Sequence, residues 1–176
     1  MTTEMLAATM NWGRRGATVA NDETARNATA PSRRPCASCP YRRHVPSGVW
    51  AAEEYDKLPA YDRPTQMQPA AVFLCHQGDG RICAGWAGTH DMAQSLAIRV
   101  AIVTGDLTPE TAEAVLAYAE TRDRSVELFG TGQEAADHGK AEMIHPSARA
   151  SRIIDRLVTK RDLEDVHDRP REQADC

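Results

Sequence analysis

Four cysteines fall into two groups, Cys36-Ala-Ser-Cys39 with Pro40 behind it, and Cys75-His76 followed by Cys83. Thiolates are soft ligands, and a pair separated by two residues reaches one ion from a single tight turn. A second pair from a distant segment completes a tetrahedron and ties the intervening chain into a loop. The spacing therefore predicts a metal centre built from Cys36, Cys39, Cys75 and Cys83. Four protein ligands close the coordination sphere, so the centre is expected to be structural, with no catalytic residue assigned. Zinc is the expected ion. An iron–sulfur cluster takes the same donors and is the alternative, which the Cys39-Pro40 pair also suits. A further alternative makes Cys36 and Cys39 the dithiol of a thiol–disulfide oxidoreductase. That reading leaves Cys75 and Cys83 without a task, and the segment lacks the preceding strand and following long helix of such motifs.

Histidines complicate the ligand set. His76 adjoins Cys75 and is the possible substitute ligand, with His44 and His90 behind it. Neighbours on an extended strand point to opposite faces, which favours the all-cysteine site. Trp50 and Trp86 each follow a motif-bearing turn and are expected to cap the centre with apolar surface.

Arginines surround the first cysteine pair. Arg33-Arg34 precede it and Arg42-Arg43 follow it, so all four are candidate contacts for phosphates or for a partner. The first 50 residues hold seven arginines against three acids, which leaves a balance of −8 for the rest of a chain whose net charge is −4. The total is acidic and no nucleic-acid reading motif accompanies the arginines, so an unidentified protein partner is the main expectation and nucleic acid the lesser one.

At 176 residues the chain suits one compact unit with appendages. It has only two Phe, four Tyr and three Trp, so the core is modest and a metal staple useful. The sequence shows neither an apolar run long enough to span a membrane nor a secretory leader, and a cytoplasmic location is expected. In that reducing compartment five cysteines argue against a disulfide framework, with Cys176 the odd one out. No Ser/His/Asp nucleophile motif, Gly-rich phosphate loop or zinc-protease helix is present.

The expected fold class is α+β and mainly helical, a small irregular four-cysteine module packed on a helical C-terminal part. Residues 1–32 read as a flexible basic arm and 33–105 as the metal-binding module with its following helix. Residues 106–165 read as the helical part and 166–176 as a charged tail. Prolines and glycines punctuate the module too often for long elements. Val49–Leu58 is expected as a short helix, and Ala71–Leu74 as a buried strand delivering Cys75. A helix from Asp91, with Met92, Leu96, Val100 and Val103 on one face, is expected to stop at Gly105. Thr108 and Pro109 open the next one, which runs to about Arg122. Short and long helices are predicted near Glu134–Ala141 and Ser147–Asp165.

Taken together, Cys36-x-x-Cys39-Pro40-Tyr41-Arg42, Pro46-Ser47-Gly48-Val49-Trp50, Cys75-His76 and Cys83-Ala84-Gly85-Trp86 resemble a family of uncharacterised proteins from actinobacteria and their bacteriophages. The resemblance covers residues 36 to about 105. It implies a phage or actinobacterial accessory protein whose cysteines are metal ligands, and it implies no activity.

Overall fold

A computed structural model describes residues 28–78 and 80–167, with side chains described as far as residue 160. Most of the expected arm, including Arg14-Arg15, lies outside the described residues, as do Cys176 and the tail beyond His167.

The described chain is mainly helical. In order come α1 (Ala52–Asp56), the 3-10 turns Leu58–Asp62 and Thr65–Met67, α2 (Ala84–Thr89), a 3-10 turn at Met92–Gln94, and α3 (Leu96–Thr104). Then follow α4 (Pro109–Leu116), α5 (Tyr118–Thr121), α6 (Gly132–Lys140) and α7 (Ala148–His167). Among the described residues extended pairing amounts to three isolated bridges, Thr29 with Arg81, Arg42 with Leu128 and Leu74 with Ile82.

Local chemistry sets several helix ends. The Thr108 hydroxyl accepts from Thr111 N, and Pro109 occupies the first turn of α4, where its missing N–H costs nothing. Thr131 caps α6 in the same way by accepting from Glu134 N. Gly105 ends α3 at φ 77°, a left-handed conformation that a side chain disfavours.

Three expectations need correction. Ala71–Leu74 is not a strand: Val72 and Phe73 are buried, but pairing is limited to the bonds Cys75 N to Arg81 O (2.7 Å) and Cys83 N to Phe73 O (2.9 Å) around the Leu74–Ile82 bridge. A turn over His76–Gly78 follows at once, with Gly78 N donating to Cys75 O at 3.3 Å, and interrupts the ladder. The helix expected from Asp91 breaks at Ser95, whose backbone is extended, so the apolar face does not run through. Asp91 caps by accepting from Ala93 N, but α3 buries Ala97, Ile98 and Ala101 while Val103 is 86% exposed. Finally, residues 28–32, read from the sequence as the end of a flexible arm, are tied to the fold: Ala28 is buried, and Thr29 exchanges backbone hydrogen bonds with Gly80 and Ile82.

The core sits where the two cysteine segments meet α1, α2, α3 and α6. Tyr41, Tyr55, Leu58, Ile82, Trp86 and Ile98 are all but completely buried. Tyr61 meets Trp86 edge-on with ring centroids 5.3 Å apart, and Tyr41 meets Phe73 likewise at 6.2 Å, the arrangement that the ring quadrupoles favour.

Candidate metal centre

The first cysteine pair sits on a tandem turn. Cys39 N donates to Cys36 O and Arg42 N to Cys39 O, both at 3.1 Å, which points the two thiols to one side. The second pair sits on the two facing segments around Leu74 and Ile82, fastened by the backbone bonds just described. Cys83 also precedes α2, so Ala84, Gly85 and Trp86 pack directly beside it.

These segments bring the four thiols together. Cys39 and Cys83 are buried, their sulfurs 4.0 Å apart; Cys36 and Cys75 are half-buried, and all four are free of disulfides. Contact with the Cys39 and Cys75 thiols lowers the Cys36 pKa to about 3, against an opposing effect of burial. The Cys36 and Cys83 thiols, with burial behind them, raise Cys39; the Cys36 thiol does the same to Cys75. Each of the four thus has at least one other thiol as an electrostatic neighbour. Among the described residues, however, no three His, Cys, Asp or Glu side chains stand around a common point as a ready-made ion cage. The donor set nevertheless suits a soft divalent ion. A zinc–sulfur bond of about 2.3 Å puts tetrahedral sulfurs about 3.8 Å apart, close to the Cys39–Cys83 separation.

The surroundings are built around these turns. Trp50 Nε1 donates to Ser38 O at 2.6 Å, inside the Cys36–Cys39 turn, and both residues are 3% exposed. Arg42 donates through one terminal nitrogen to Cys36 O at 3.1 Å, which sets a guanidinium behind the thiols. α2 approaches closely: a Cβ on Gly85 would lie 2.3 Å from Cys39 Sγ. Trp86, three residues beyond Cys83, is fully buried with no hydrogen-bond partner for its Nε1 among the described residues.

His76 turns elsewhere. Its Nε2 lies 2.7 Å from Glu54 Oε2, both side chains are about nine-tenths buried, and its ring leans on Trp50 at a centroid distance of 4.6 Å. Glu54 also accepts from Lys57 at 2.9 Å, so the buried carboxylate is doubly paired. His44 is exposed and lies 3.4 Å from Glu127.

His90 belongs to a hub for which the sequence carries no spacing signal. Its Nε2 lies 2.9 Å from Asp62 Oδ1, and its Nδ1 lies 3.0 Å from the Trp86 carbonyl. Asp62 also accepts from Gly132 N at 2.8 Å and from Gln133 N at 2.7 Å, at the N-terminus of α6, where a carboxylate is favoured by the exposed donors. One carboxylate therefore joins the 58–62 turn, α2 and α6. Both ring nitrogens of His90 face hydrogen-bond acceptors, so the ring ties the end of α2 to Asp62.

The four candidate arginines divide. Arg42 is held on the cysteine turn, and Arg43 donates to Leu128 O at 2.9 Å while its guanidinium lies 5.3 Å from the centre of the Phe129 ring. Arg33 and Arg34 remain exposed.

The fold and site define a mainly helical protein whose irregular half converges on four thiols. The match to a family model over residues 31–159 shows that the chain belongs to a family of unknown function, DUF6283. No curated protein and no solved structure matches the chain. Among the described residues no helix is long and apolar enough to cross a membrane.

Proposed function

We propose that this is a small metal-binding protein in which Cys36, Cys39, Cys75 and Cys83 hold one structural zinc ion, and that it acts as an accessory or adaptor protein rather than as an enzyme. The observation that carries the reading is the convergence of four thiols from two separate turns, with the Cys39 and Cys83 sulfurs 4.0 Å apart. Bound zinc would supply the charge that holds neighbouring thiolates together, and closing the remaining pairs around it would fasten residues 36–83 into one loop. The Arg42 guanidinium at Cys36 O offsets part of the charge of a tetrathiolate.

An iron–sulfur cluster takes the same four thiolates and is the alternative reading. One feature supports the thiol–disulfide alternative, the lowered pKa of Cys36. Against it, Cys36 opens a turn and not a helix, and the thiol is crowded by Cys75 as well as by Cys39.

The deciding experiment is metal and acid-labile sulfide analysis, with a visible spectrum, on protein purified without oxygen. The expected result is one zinc per chain, no sulfide and no colour. Iron with matching sulfide would replace this reading with the redox or sensor alternative. Absence of both metals, together with disulfide turnover that depends on Cys36, would replace it with the oxidoreductase.

A further inference from the structure

Arg33 and Arg34, left exposed beside the cysteine turn, line a groove of about 930 Å³ together with Arg122 and Arg124. The fold assembles this group from segments far apart in sequence. Asp123 N donates to Arg33 O at 2.9 Å, and the Tyr118 hydroxyl donates to Ser32 O at 2.8 Å, so the residues before Cys36 are stitched to the end of α5.

Two carboxylates line the same groove, Glu120 and Asp123. Asp123 is largely engaged: one oxygen accepts from Ser125 N and Oγ at 2.9 and 2.6 Å, and the other lies 3.8 Å from Arg34 Nε. Arg122 is half-buried and donates to the Val126 carbonyl at 3.3 Å. Arg33 and Arg124 are exposed; behind the Ser125 hydrogen bonds, Arg33 joins Arg34 in holding the Asp123 carboxyl below its usual range without forming an ion pair with it. On a chain of net charge −4, a local excess of guanidinium is an attractor for anions. Its one aromatic ring, Tyr118, is 3% exposed, so bases have nothing to stack on.

We propose that this groove binds the phosphate backbone of a nucleic acid without reading its sequence. Guanidinium groups pair with phosphates in bidentate fashion, and four that line one open groove suit a repeating polyanion better than a single small anion. The proposal does not rest on the metal reading, since none of the groove residues is a candidate ligand.

The test is fluorescence anisotropy of labelled duplex and single-stranded DNA of random sequence, titrated with the full chain at several salt concentrations. The metal content of each preparation is measured beforehand. Binding that weakens with salt is expected, and an Arg33→Gln/Arg124→Gln double variant should bind more weakly with a log–log salt slope shallower by about two. Arg63→Gln/Arg99→Gln, which removes two exposed arginines outside the groove, should leave both quantities nearly unchanged. The proposal is overturned by absence of binding at low salt or by equal loss in the two double variants. It is equally overturned if polyglutamate competes as well as unlabelled DNA, which would mark the groove as a dock for an acidic protein.

Discussion

Gly85 and Cys39 touch so closely that a methyl group on the glycine would fall 2.3 Å from the cysteine sulfur. The contact presses the first turn of α2 onto the buried end of the Cys36–Cys39 turn, and it also places Cys83 beside Cys39. In Cys83-Ala84-Gly85-Trp86, the tryptophan supplies apolar bulk while the glycine lets the backbone approach the sulfur. Gly85→Ala is expected to push α2 away and lower stability by about 1–3 kcal/mol, the usual cost of overpacking. A drop in the urea midpoint together with weaker zinc retention checks this; an unchanged midpoint would show that the helix has room to move.

Trp50 holds the same turn from the other side. Trp50→Phe keeps most of the apolar volume but leaves the buried Ser38 carbonyl without the indole donor. The expected loss is about 1–3 kcal/mol, the cost of an unsatisfied buried group, read in the same denaturant titration.

His76 separates a ligand from a neighbour. Because its ring nitrogen is engaged by Glu54, His76→Ala is expected to lower stability by removing one partner of the buried carboxylate, while metal content stays as in the wild type. Loss of the metal in this variant, with the fold intact by circular dichroism, would move His76 into the ligand set.

Asp62 is expected to be among the most sensitive polar positions of the fold. Asp62→Ala removes acceptors from two α6 backbone N–H groups and from His90, and should cost about 2 kcal/mol. Asp62→Asn retains one oxygen acceptor and should fall between wild type and alanine. Equal midpoints for all three proteins would show that the hub carries no energy.

All four tyrosines resist ionisation, with burial the leading cause for each; for Tyr61 the pKa is pushed up to about 12. The ordinary phenol value, near 10, applies to the unfolded chain. A folded value raised above the unfolded one gives stability that is intact below pH 10 and is lost as pH rises from about 10 towards 12. Phenolate absorbance is therefore expected to appear together with unfolding in that window. A smooth titration near pH 10 in the folded protein would contradict the buried positions.

Much of the helical part was legible in the sequence because its signals are local. Thr108 and Pro109 start α4, Gly105 stops α3, and the helices expected near 134–141 and 147–165 lie at 132–140 and 148–167. The α3 face was misread for an equally local reason, since an extended Ser95 resets the helical phase that the apolar spacing assumed.

The sequence by itself determined that four cysteines would stand in two pairs, because thiol type and spacing are properties of the chain. Only the tertiary structure decided what surrounds them. Glu54 draws His76 away from the cysteines and Asp62 engages His90, although 22 and 28 residues respectively separate the partners. The arginines were likewise sorted by folding: Arg42 and Arg43 became parts of the scaffold, while Arg33 and Arg34 joined Arg122 and Arg124 across a groove. Such pairings depend on which backbones meet after burial, and no spacing rule within the chain records that.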